Sequence, residues 1–106
     1  MTPEQRHKAR VASLPCVLET QGYGASCGGR VCVHHLREDQ GAAQRADDFL
    51  TVSLCEAHHV GSNGFHGLGR RGFETRYRLS ELDLLAIVLR ALEVQRELEM
   101  RRARAA

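Results

Sequence analysis

Tryptophan is absent from this 106-residue chain, aromatic residues are 5 % of it, and one lysine stands beside fourteen arginines. With few large aromatic residues, a core built mostly of Leu, Val and Ala at this length is modest, so a metal staple would add needed stability. No apolar run is long enough to span a bilayer, which excludes a helical membrane protein. The polar start "MTPEQRHKAR" has no secretory signal and points to the cytoplasm, where thiols stay reduced. No Cys-x2-Cys pair occurs among the four cysteines, which argues against a thiol-redox protein and leaves metal ligation as their natural use. A net charge of +2 is too small to imply nucleic acid by itself. The preference for Arg permits bidentate phosphate contacts, though a GC-rich genome would produce the same bias.

The chain reads as one domain without repeats. Thr2, Pro3 and Gln5 form an N-terminal helix signature, giving a short helix over 3–13 that Pro15 ends. Residues 19–29 are a Gly/Ser-rich loop. "RVCVHHL" (30–36) and "FLTVSLC" (49–55) have the alternation of strands, with a polar loop over 37–48 between them. A short helix from about 56 is interrupted by Gly61 and Gly64. Ser80 and Asp83 cap a long helix, about 80–104, whose apolar stripe is Leu85, Val88, Leu89 and Leu92. Its further apolar residues exceed what one small core can cover. They suggest a two-fold homodimer through this helix, unless the N-terminal helix covers the second face.

The chemistry concentrates in "VCVHHLR" (31–37) and "LCEAHHVGSNGFH" (54–66). Cys55 and His58, three residues apart, can reach one ion from the first turn of a helix. His59 points about 100° away from His58, so each histidine of that pair serves a different centre. One centre is closed and built from sulfur and nitrogen; the other is nitrogen-rich and open. On a strand, His34 and His35 leave opposite faces, so one can hold an ion while the other stands free as a base. Bends at Gly61 and Gly64 would return His66 toward His59.

"CVHHLR" followed by "DDFLTVSLCEAHHVGSNGFHGLG" resembles the HNH, or ββα-metal, endonucleases over residues 14–85. The likeness is greatest to the phage-type branch that includes the recombination-enhancement, RecA-dependent nucleases. It implies an α+β fold: a ββα-metal core (about 14–68) with a zinc knuckle, flanked by the N-terminal helix and the long C-terminal helix. It also implies a phage- or prophage-encoded enzyme that hydrolyses DNA in a bacterial host cell, with a recombinase as candidate partner. By this resemblance His34, His59 and His66 hold a catalytic divalent ion, His35 is the general base, and Asp48 supports the loop. An all-nitrogen site favours Zn, Ni, Co or Mn over Mg. Cys55 and His58 match the second half of the structural zinc knuckle. The first half departs from the family pattern and stays open between Cys16 with Cys27 and Cys27 with Cys32. The first set is favoured because Cys32 shares the face of His34.

Arg37, Arg70 and Arg71 are the candidate DNA contacts, with "RRGFETRYR" (70–78) as the basic stretch. The competing function is a non-catalytic zinc module that binds nucleic acid or a protein. Such a module would need Cys55 and His58 but not His35 or His66. Blander roles remain for single residues: Asp48 as a cap, Cys32 as a small core residue, and each arginine as a solvated charge.

Overall fold

Helix α1, Pro3–Ala12, begins where the sequence signals it. Thr2 Oγ1 accepts from the backbone N–H of Gln5 at 3.1 Å, and Gln5 Oε1 accepts from the N–H of Thr2 at 2.8 Å. The pair satisfies two of the amide groups that a helix start leaves without partners. The helix stops at Ala12, because the residue before Pro15 is pushed out of helical backbone geometry. The computed structural model describes residues 1–38, 40 and 46–105. Half of the expected 37–48 loop, residues 39 and 41–45, falls outside that set.

Residues 19–29 form two short 3-10 turns, Glu19–Gln21 and Gly24–Ser26. Strands β1, Val31–His35, and β2, Thr51–Cys55, pair antiparallel with Val31 opposite Cys55, Val33 opposite Ser53 and His35 opposite Thr51. Every β2 residue is buried, whereas β1 buries only His34 fully. The far edge of β2 is covered by the segment after Pro15. The N–H of Val17 donates to the Ser53 carbonyl at 2.8 Å, and Ser53 Oγ donates to the Pro15 carbonyl at 2.8 Å. This arrangement leaves β1 as the strand toward solvent.

Helix α2, Glu56–His59, follows β2 directly with Cys55 as its N-cap. It is a single turn, and the chain then folds back on it. A Cβ on Gly64 would lie 2.6 Å from the His58 carbonyl carbon, and one on Gly67 would lie 2.2 Å from the Gly61 oxygen. Any side chain there would force the next helix away from α2.

That next helix, α3 (Phe65–Tyr77), was not expected from the sequence, which shows Gly67, Gly69 and Gly72 in succession. Gly69 interrupts it at φ 76°, ψ 168°. It persists because Phe65, Phe73 and Tyr77 lie on one side and are buried at 4 %, 0 % and 3 % exposure. Tertiary burial outweighs the low helix propensity of the glycines.

Helix α4, Glu81–Ala105, starts at the Ser80–Asp83 capping pair, with reciprocal bonds of 2.9 and 3.1 Å. It buries Leu84, Leu85, Val88 and Leu92. Leu89, expected in the stripe, is instead 45 % exposed, and Leu84 takes its place. No described helix is long and apolar enough to cross a membrane. The fold is thus α+β: a two-stranded antiparallel sheet with α1 and α4 packed against it, and α2 and α3 closing one end.

Candidate metal centres

Two groups of ligand-type side chains converge where β1, β2, α2 and α3 meet. The first contains Cys16, Cys27, Cys55 and His58. Cys16 lies in the segment that covers β2, between Pro15 and Val17, Cys27 ends the second 3-10 turn, and Cys55 and His58 come from the junction of β2 and α2. His58 Nδ1 lies 3.5 Å from Cys16 Sγ, 3.5 Å from Cys27 Sγ and 3.3 Å from Cys55 Sγ. A tetrahedral ion with Zn–S bonds of about 2.3 Å and Zn–N bonds of about 2.0 Å separates sulfur from nitrogen by roughly 3.5 Å. The four side chains therefore fit a structural zinc ion.

The hydrogen-bond chain around His58 supports the same assignment. Ser26 Oγ donates to the Tyr23 carbonyl at 3.0 Å, so toward His58 Nε2, at 2.8 Å, it accepts. The proton is thereby fixed on Nε2 and the lone pair of Nδ1 faces the three sulfurs. Among the thiols, burial pushes Cys16 up, and burial together with the neighbouring Cys16 and Cys55 pushes Cys27 up to about 12. Burial acts on Cys55 too, but hydrogen bonds from the Gly28 and His58 backbone and from the other two thiols hold it below the ordinary thiol value. Cys55 is thus the one of the three thiols that gives up its proton most readily, and a bound dication would draw out the protons of all three. Cys32 stands apart. Its Sγ lies 3.7 Å from the Arg30 carbonyl, on the His34 side of β1, so Cys16 and not Cys32 joins this group.

The second group is His34, His59 and His66. His59 and His66 bring their Nε2 atoms to 3.2 Å, close to the roughly 3.3 Å expected for two nitrogens on one tetrahedral ion. The His34 ring stands edge-on to both, with centroids 5.2 and 5.3 Å away. Burial, then the charges of His34 and His66, lower His59 to about 4; burial, His34 and Arg37 also lower His66. Both rings are neutral at pH 7, the form in which imidazole binds metals. The adjacent histidines of α2 thus divide between the groups, His58 to the sulfur-rich one and His59 to the nitrogen-only one.

Glu81, absent from the sequence reading, orients His34. Its carboxylate accepts from His34 Nε2 at 2.7 Å, from the Arg37 N–H at 2.8 Å and from the Glu38 N–H at 2.8 Å, with only 1 % exposure. Burial would raise its pKa, but these donors overcome that and hold the carboxyl ionised. With Nε2 protonated toward Glu81, Nδ1 of His34 is the free donor atom, a carboxylate–histidine pairing common behind metal ligands. In sequence, an acid at the first position of a helix looks only like a dipole partner, so nothing marked it.

His35 leaves β1 on the opposite face from His34. Its Nε2 donates to Asp48 Oδ1 at 2.7 Å, and Asp48 Oδ2 pairs with Lys8 of α1 at 3.5 Å. Bonding to His35 lowers the Asp48 carboxyl despite partial burial, with Lys8 adding to the effect. Asp48 was expected as a loop support; here it holds the imidazole. Arg37 lies close enough for its charge to act on His66. Arg70 and Arg71 are exposed on α3, with Arg70 Nη1 3.9 Å from Glu38 Oε1.

No family model, curated protein or solved structure matches this chain.

Proposed function

We propose that the protein is a metal-dependent DNA endonuclease of the HNH type that hydrolyses phosphodiester bonds with little sequence preference. The observation that supports it most is the division of labour within two adjacent histidine pairs. His58 joins three thiols and His59 joins two histidines, while His34 faces the nitrogen-only group and its neighbour His35 is held apart by Asp48. A purely structural zinc module would use the first group and have no need of the second.

In this reading Cys16, Cys27, Cys55 and His58 hold a structural zinc ion that ties the N-terminal segment to the β2–α2 junction. His34, His59 and His66 would hold a second divalent ion and leave positions for a phosphate oxygen. When bound, that ion supplies Lewis-acid stabilisation of the charge developing on the phosphate and on the leaving 3′ oxygen. His35 takes the proton of the attacking water. Asp48 accepts the Nε2–H, so the Nδ1 lone pair is available as the base. Because β1 is the strand toward solvent, a phosphodiester at its edge would reach the ion rather than the buried His34 on one face, with His35 on the other. Arg37 beside His66, and exposed Arg70 and Arg71, offer guanidinium groups to the flanking phosphates. A host-cell cytoplasmic location and a recombinase partner follow from the family resemblance alone. Supercoiled-plasmid nicking in the presence of Mn, Ni, Zn or Mg, with His35→Ala beside the wild type, tests the proposal.

A further inference from the structure

The face of α4 that neither the sheet nor α1 covers carries a pattern unconnected with the histidines. Ile87, Ala91, Val94 and Leu98 recur at alternating steps of four and three residues, the spacing of a coiled-coil seam. Ile87 and Ala91 are half-buried, and Val94 and Leu98 are 42 % and 46 % exposed. The first two form one wall of an apolar groove of about 240 Å³ whose other wall is Leu14, Pro15 and Val17. A second depression, around Val94 and Leu98, continues from it past Arg90. Helix α1 lies along the opposite flank, held by Arg10 to Gln95 at 3.0 Å and to Glu99 at 3.0 Å, and leaves this seam open.

The charges beside the seam suggest its occupant. Asp83, Arg90, Glu97 and Arg104 recur every seven residues along one flank and alternate in sign. When such a helix pairs with an antiparallel copy of itself, equivalent flanks meet. Asp83 then faces Arg104 of the second copy, and Arg90 faces its Glu97. The same register places Leu98 of one copy over Ile87 of the other, at the apolar groove, and sets Val94 against Ala91. A parallel pairing would instead oppose this flank to Val88, Gln95 and Arg102, matching a single charge pair. Asp83 at present caps α4 through the Ser80 N–H at 2.9 Å, and the other three charges have exposed intrahelical partners, Arg90–Glu93 at 3.3 Å, Arg101–Glu97 at 3.0 Å and Arg104–Glu97 at 3.8 Å. Contacts of this kind contribute little and exchange readily.

We infer that a second copy of this chain docks on the Ile87–Leu98 seam, making an antiparallel, two-fold symmetric dimer through α4. One helix pair with its groove is a small interface, so dissociation falls in the micromolar range. The inference does not depend on nuclease activity, and its test reads mass alone.

Sedimentation equilibrium of the full chain from about 1 to 100 µM should show mass rising from monomer to dimer. Leu98→Glu, a change at an exposed helical position, should weaken association at least about tenfold by placing a charge in the groove. Arg90→Glu and Glu97→Arg should each weaken it, and the double variant should recover, because both 90–97 pairs re-form with signs exchanged and the two Asp83–Arg104 pairs are untouched. Circular dichroism melts check that each variant folds. A wild-type chain that stays monomeric, a dimer indifferent to Leu98→Glu, or a double variant no tighter than its parents would each overturn the inference.

Discussion

Glu81 sits where the fold and the candidate site join, so removing its carboxylate should damage both. In Glu81→Ala, His34 Nε2–H and the amides of Arg37 and Glu38 lose one shared acceptor at a place that is 1 % exposed. A buried donor left without a partner costs about 1–3 kcal/mol. Allowing for some water entering the space, the total is on the order of 3–6 kcal/mol, against the 5–15 kcal/mol typical of a whole domain. His34 would also lose the partner that fixes its tautomer, which should weaken metal binding at the histidine group about 10- to 100-fold. Glu81→Gln keeps the volume and one acceptor oxygen, so its losses should be smaller on both counts. Thermal melts with zinc present measure the first effect, and competition against a chelator of known affinity measures the second. If Glu81→Ala melts like the wild type and binds metal equally well, Glu81 does not support the site as described.

Cys55→Ser removes the most readily ionised thiol of the sulfur-rich group, and zinc binding to such groups is folding free energy. Soluble yield and melting temperature should fall and one zinc per chain should be lost; an unchanged melt with full metal content would refute the assignment. Acidification should destabilise the fold. His7, His58, His59 and His66 all have pKa values lowered by burial, so the unfolded chain takes up protons first as pH falls below 6.5. Stability present above pH 6.5 is lost toward about pH 4, with His59 alone contributing up to about 3 kcal/mol. A melting temperature that stays flat over that window contradicts the burial of these rings. Paired Arg70→Ala and Arg71→Ala should weaken DNA binding for all sequences alike and reduce the salt slope by about two counterions. A loss confined to one sequence would indicate base reading instead.

The candidate ligand residues are legible in the sequence because their chemistry is local. Cys55, His58 and His59 are fixed on one turn, and an α-helix cannot aim adjacent side chains at one centre. Strand alternation separated His34 from His35 in the same way. The choice of Cys16 over Cys32 also followed from alternation, since Cys32 shares the face of His34. Features that no local pattern marks depend on contacts distant in sequence. Glu81 reaches His34 across 47 positions and Ser26 reaches His58 across 32, and no spacing rule links them. Helix α3 was hidden by its glycines, whose low propensity is overridden by the burial of Phe65, Phe73 and Tyr77. Leu89 was assigned to the core because a period of 3.6 does not say which side of a broad apolar surface the sheet will cover.

Whether His35 acts as a base beside a metal held by other residues is decided by nicking of supercoiled plasmid. Wild type and His35→Ala are compared at equal metal content, each protein checked for two ions per chain. The wild type should nick in a metal-dependent way. His35→Ala should lose at least about 100-fold, the range for removing a general base, with metal content and melting temperature close to wild type. Undiminished cleavage by a fully loaded His35→Ala protein, or no cleavage by the wild type with any divalent ion, would contradict this mechanism.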